Sequence, residues 1–110
     1  MISIFMNNSF KIRIAGKNAV TNYLISTGWE LKKQEADAND DVDIVATKNG
    51  TVVIIKVQAA VLPEEPKNLS DTEVKKLNER ASEIGAKAYE AKVILDDELN
   101  PKKINFKKLK

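Results

Sequence analysis

The sequence predicts an α/β domain built in the order helix, three strands, helix, two strands. Three observations carry this. Apolar residues recur at helical spacing after Lys17 and again after Ser70, and between and after these stretches they recur at strand spacing. An Asn-Gly pair joins two β-rich runs, the strongest short hairpin signal. The run T-V-V-I-I-K-V-Q is apolar on both faces until Lys56, as expected of a central strand covered on both sides.

In chain order, Ile2 and Ile4, then Phe10, Ile12 and Ile14, alternate with polar residues. This reads as two short strands around Asn7-Asn8, although the second half could begin the helix that follows. From Lys17, Ala19, Val20, Tyr23, Leu24 and Thr27 share a helical face, and Gly28 stands where a left-handed cap belongs. Trp29 and Leu31 alternate with Glu30 and Lys32, suggesting a strand, and an acidic loop follows from Gln34 to Asp41.

Val42 to Thr47 and Thr51 to Val61 form the predicted hairpin. Pro63 and Pro66 mark a loop. Ser70 and Glu73 make an S-x-x-E capping box, and Val74, Leu77, Ala81 and Ile84 make a helical stripe ending at Gly85. Ala86 to Leu95 reads as a strand with Tyr89, Ala91, Val93 and Leu95 on one face. After a turn from Asp96 to Pro101, Ile104 and Phe106 mark the last strand.

At 110 residues, 43% of them hydrophobic, the chain has the size and composition of one folded domain, expected to span 1–110. No apolar run is longer than four residues, as in Val52 to Ile55, which is too short to span a bilayer, and no cationic-then-apolar leader is visible. A cytoplasmic location is the expectation. With no cysteine and no histidine, a Ser-His-Asp triad, a cysteine nucleophile and an ordinary zinc site are all excluded. Catalysis would have to run on carboxylates, lysines and a hard metal such as Mg²⁺.

The net charge is only +2, but it is unevenly spread. Residues 1–29 carry Lys11, Arg13 and Lys17 and no acid, residues 30–50 carry six acids against three lysines, and residues 101–110 carry five lysines, Lys107 and Lys108 among them. Basic ends of this kind can hold a nucleic-acid backbone, and equally they can be solubilising surface.

The hairpin feeding a buried central strand, placed between two helices, is similar to the restriction-endonuclease-like fold. The signature of that superfamily of metal-dependent nucleases is written PD-(D/E)xK. The resemblance runs from about Gly16 to Leu109 and points to the small Holliday-junction resolvases. It rests on a Gly-led helix closing in Y-L-I-S-T-G-W, an acidic loop, the hairpin start V-D-I-V-A-T-K-N-G and the apolar strand after it. It implies a mixed central β-sheet flanked by two main helices, an αβββαβ core.

It also implies a site. Asp43 falls on the family's metal-binding aspartate, Lys56 where the second metal-binding carboxylate belongs, and Gln58 where the catalytic lysine belongs. Val20 occupies the neighbourhood of an acid often found on the first helix. In the family the two acids hold Mg²⁺, which activates the attacking water, while the lysine steadies the developing charge. Residues i and i+2 of a strand share a face, so Lys56 and Gln58 still project together. At about 4 Å and an effective dielectric near 20, two unit charges interact by about 4 kcal/mol. Lys56 is therefore expected to attract Asp43 and to repel Mg²⁺.

The expected function is a non-catalytic nucleic-acid-binding domain derived from a nuclease, with no cofactor and with Lys11, Arg13, Lys17, Lys107 and Lys108 on phosphates. Against it stand an active Mg²⁺-dependent endonuclease, with Asp43 as a metal ligand and an acid recruited from Glu30, Glu35, Asp41 or Glu90, and a protein-interaction subunit. A homodimer is compatible with all three, and no membrane partner is expected. As the bland alternative, Asp43 and Lys56 are solvated strand residues and Gln58 is polar filler. The stretch D-A-N-D-D-V-D resembles a calcium loop only superficially, because Val42 replaces the sixth-position glycine and Lys48 the final glutamate.

Overall fold

The computed structural model describes residues 2–32 and 42–109, the first six of these as backbone only. Helix α1 (Ile2–Ser26) leads into strand β1 (Glu30–Leu31), followed by β2 (Ile44–Lys48) and β3 (Thr51–Val61). Helix α2 (Asp71–Ile84) then precedes β4 (Lys87–Leu95) and β5 (Pro101–Lys108). The sheet runs β1-β2-β3-β4-β5, parallel between β3 and β4 and antiparallel at the other pairs. It is a mixed sheet with β3 at its centre and a helix on each face.

The predicted strands around Asn7-Asn8 are not formed: α1 continues through them without a break. The alternation of Phe10, Ile12 and Ile14 competes with a helical stripe, and the stripe wins. Ile12, Ala15, Gly16, Ala19, Val20 and Leu24 recur at helical spacing and turn towards the sheet, while Phe10 and Ile14 are left exposed. Burial of one continuous helical face outweighs a local alternation that has no partner strand to pair with. The predicted acidic loop from Gln34 to Asp41, with Glu35 and Asp41 among its acids, lies outside the described residues.

Caps and turns follow their residues. Gly28 has φ +94°, and its N–H and that of Trp29 close on Ile25 and Leu24 in a Schellman ending. Asn49 and Gly50 both have positive φ, as a two-residue hairpin turn with the strands' own twist requires. The capping box of α2 is complete, with Ser70 Oγ accepting from Glu73 N–H and the Glu73 carboxylate accepting from Ser70 N–H.

Two cores result. Alternate residues of β3 (Val53, Ile55) pack with Ala91, Val93 and Leu95 under Val20 and Leu24 of α1. On the other face Ile54, Val45 and Ala88 pack beneath Leu77 and Ala81 of α2. Lys56 and Gln58 share the parity of Ile54 and so belong to the α2 face.

Candidate functional site

β3 outruns its neighbour. Pairing with β2 begins at Ile44 opposite Ile55, so residues 56–61 extend past the start of β2. Asp43 stands at that boundary. Its backbone N–H donates to Ile55 O at 3.0 Å, continuing the ladder, and its side chain then takes over the next acceptor position. Asp43 Oδ2 accepts the Val57 N–H at 2.7 Å. The carboxylate thus substitutes for a β2 carbonyl one step beyond the strand's end.

Lys56 Nζ lies 3.9 Å from Asp43 Oδ1, and the two side chains are only 17% and 16% exposed. The separation sits at the limit of an ion pair and is too long for a direct hydrogen bond, but low exposure limits screening by water. Glu73, in the first turn of α2, also feels the Lys56 charge. Its carboxyl is held below the usual carboxylate range, chiefly by the Ser70 backbone N–H, with the Ser70 hydroxyl and Lys56 adding to the effect against partial desolvation. Lys56 therefore acts on two carboxylates, Asp43 at 3.9 Å and Glu73 through its charge.

These groups open onto a cleft of about 420 Å³. Asp43, Lys56 and Gln58 line it from the sheet, Glu73 from α2, and Arg13 and Lys17 from α1. The two α1 residues reach it because Gly16 lets the helix press onto β3. A Cβ built on Gly16 would stand 2.6 Å from the Ala59 Cβ, so any side chain there would lift the helix.

Five of the predicted residues thus share one cleft. Lys11, on α1, does not line it. Lys107 and Lys108 lie on β5, the outer edge strand, paired with Glu90 and Tyr89 and pointing to opposite faces of the sheet. Val20 is fully buried in the α1 core, so the first-helix position offers nothing to the cleft. The sequence marks Glu73 only as a capping residue, and nothing in its spacing identifies it as a neighbour of Lys56. Glu90, one of the acids proposed for recruitment, is paired in register with Lys56. It is 3% exposed, and its Oε2 accepts the Leu69 N–H at 2.9 Å, tying the approach to α2 down onto β4. Glu30, on β1 at the opposite edge of the sheet from β5, is exposed and does not line the cleft.

The donor set does not suit Mg²⁺, which takes near-octahedral oxygen ligation through one or two carboxylates. Asp43 brings one carboxylate, already bonded to the Val57 N–H, and Lys56 beside it brings an ammonium. Among the described residues no group of three or more acidic, histidine or cysteine side chains could hold a metal ion.

The five-stranded mixed sheet with a helix on each face defines an α/β domain of the restriction-endonuclease-like fold. The structure is similar to that of Hjc, a Holliday junction resolvase from the archaeal hyperthermophile Archaeoglobus fulgidus, with a TM-score of 0.58 and 26% sequence identity over 82% of this chain and 70% of that one. By sequence the chain belongs to the family described as a domain of unknown function, DUF8840, whose profile matches residues 12–109; no PD-(D/E)xK family profile matches. A search of curated proteins returns no match. No helix among the described residues is long and apolar enough to cross a membrane.

Proposed function

We propose that this chain is a non-catalytic nucleic-acid-binding domain on a nuclease-derived scaffold, in which the Lys56 ammonium stands in for the metal ion beside Asp43. The observation that carries this reading is the engagement of both Asp43 oxygens, one by the Val57 N–H at 2.7 Å and the other facing Lys56 Nζ at 3.9 Å. The Lys56 ammonium repels a divalent cation from a carboxylate that already accepts the Val57 N–H, and this disfavours a metal-bound nucleophile there. Arg13 and Lys17 on the lip of the cleft supply the charge for phosphate contacts, which give salt-sensitive binding with little sequence preference. The likeness to a Holliday junction resolvase supports DNA as the polymer.

The test is fluorescence anisotropy with labelled four-way junction, duplex and single-stranded DNA, in Mg²⁺ and at two salt concentrations. A stable rise that falls with salt supports the proposal. A rise that decays with cleavage, and is abolished by Asp43→Ala, would show an active nuclease and refute the role given to Lys56. No rise with any DNA, together with a dimer at micromolar concentration, would reassign the chain as a protein-interaction subunit.

A further inference from the structure

A second concavity, of about 220 Å³, lies on the α1 side of the sheet, towards the C-terminal end of that helix. It is smaller than the roughly 300–1,000 Å³ of a drug-sized pocket and suits a single flat ring. Tyr23, Trp29, Tyr89 and Phe106 gather around it, four of the chain's six aromatic residues. Tyr23 and Phe106 are 47% and 36% exposed, and their ring centroids are 5.4 Å apart at an interplanar angle of 37°. The Trp29 backbone is fixed by the Schellman ending of α1, its main-chain N–H donating to Leu24 O at 2.9 Å. Exposed aromatic clusters of this kind mark interaction surfaces.

The charge around the groove selects the occupant. Lys87 lines it, and strand register places Lys108 beside Tyr89 on the same face. Lys48, also on this face, crosses to α1 and donates to Thr27 O at 2.6 Å. No carboxylate occurs in α1, nor on the α1-facing side of β2, β3 or β4. Aromatic faces beside lysines, with no carboxylate among the described residues that line them, suit a flat, electron-rich ring carried on a polyanion. A second copy of the chain fits poorly, because a two-fold interface would bring these lysines onto their own counterparts.

We infer that this groove stacks an unpaired nucleobase, so that the domain takes single-stranded nucleic acid there in addition to phosphates at the Asp43 cleft. This rests on the nucleic-acid reading above and specifies its substrate. Bases within a duplex are already stacked and cannot reach the rings. Tyr23 lies ten residues beyond Arg13 on α1, about 15 Å along the helix axis. One strand could therefore touch both places.

Trp29 is the only tryptophan, so its emission reports on the groove directly. The protein would be titrated with an oligothymidylate of about 12 nucleotides and with a blunt duplex, following Trp29 emission and the anisotropy of the labelled DNA. The oligonucleotide is expected to quench Trp29, and the exposed-side-chain variants Phe106→Ala and Tyr23→Ala to weaken its binding about five-fold or more while leaving duplex affinity within about two-fold. An anisotropy rise without quenching, unaffected by either variant, overturns the groove and leaves the phosphate-binding cleft standing. No rise with either DNA removes both readings. A concentration-dependent change in Trp29 emission without DNA, abolished by Phe106→Lys, gives the groove to a second copy and also overturns the inference.

Discussion

Asp43 reaches across the end of β2 to β3, where its Oδ2 accepts the backbone N–H of Val57 at 2.7 Å. This hydrogen bond gives the aspartate a structural duty independent of any metal. Asp43→Ala is expected to leave a half-buried N–H unsatisfied and to destabilise the domain by about 1–3 kcal/mol in urea unfolding. Lys56→Met should cost less, since it keeps the apolar stem and leaves Asp43 bonded. The cycle of Asp43→Asn with Lys56→Met isolates the ion pair, and a coupling of about 1 kcal/mol is expected from its low exposure and long separation. A coupling of zero would leave Lys56 without the role proposed for it.

Writing a nuclease-like E-x-K into β3 should create metal affinity if Lys56 has the role proposed for it. Lys56→Glu together with Gln58→Lys puts a second carboxylate beside Asp43 and a lysine two residues on, both on the α2 face of β3. In EDTA this variant is expected to be less stable than the parent, because two carboxylates then face each other with no metal ion between them and only the new lysine at position 58 to offset them. Ten-fold Mg²⁺ over its dissociation constant should return roughly 1.4 kcal/mol. For a domain of about this size that is a rise in Tm of roughly 4–8 °C per kcal/mol. The parent is expected to show no Mg²⁺-dependent shift. A parent that responds as strongly as the variant would contradict the displaced-metal reading.

The two groups of basic residues make different predictions for duplex binding. Arg13 and Lys17 share the cleft with Asp43, whereas Lys107 and Lys108 lie on the outer strand and point to opposite faces of the sheet. Replacing both Arg13 and Lys17 with alanine should lower the slope of log affinity against log salt by about 1.8, or about 0.9 for each phosphate no longer neutralised. The Lys107→Ala, Lys108→Ala pair should change the duplex slope by less than half as much. Equal effects would spread the interface around the molecule instead of centring it on the cleft.

Much of the fold is legible in the sequence because its signals are local. Asn49-Gly50, the Ser70–Glu73 box and the two glycine caps each impose one backbone geometry whatever surrounds them. The apolar character of Val53, Ile54 and Ile55 on both faces marks β3 as central. The N-terminal segment misleads because Phe10, Ile12 and Ile14 satisfy a strand period locally, and only the longer stripe from Ile12 to Leu24 reveals the helix. At the site, the i, i+2 spacing places Lys56 and Gln58 on one face, and the fold likeness places Asp43 beside them. Glu73 at the cleft and the aromatic groove are not legible, since they join residues far apart in sequence through the packing of both helices on the sheet.

Glu73 makes stability depend on pH in a stated direction. Its carboxyl is held below the ordinary value of 4.5, first by the Ser70 N–H, so the native state binds its proton more weakly than the unfolded chain does. The contribution is present above the unfolded pKa and is lost as pH falls through the lower native one. Glu73→Gln keeps an acceptor for the Ser70 N–H but removes the titration. The variant should therefore lose less stability than the parent between neutral and acidic pH, as measured by urea midpoints across that range. An unchanged pH dependence would mean that the capping carboxylate is not coupled to folding. Ser70→Ala, which removes the reciprocal bond, should cost about 1 kcal/mol at neutral pH.

The close approach of α1 to β3 can be tested at Gly16. A Cβ there would meet the Ala59 Cβ at 2.6 Å, and the contact has little room to relax because Ala59 is itself the smallest side chain that could face it. Gly16→Ala is expected to destabilise the domain by about 1–3 kcal/mol, despite alanine's better helix propensity, because overpacking outweighs the roughly 1 kcal/mol that propensity favours. Ala59→Gly in the same chain should recover part of the loss by reopening the space, giving a favourable coupling in the double-mutant cycle. The lifted helix should also carry Arg13 and Lys17 away from Asp43, so Gly16→Ala is expected to weaken duplex binding even where it remains fully folded. A variant as stable as the parent, with unchanged binding, would mean that α1 does not press on β3 at this point and that the cleft is not set by that contact.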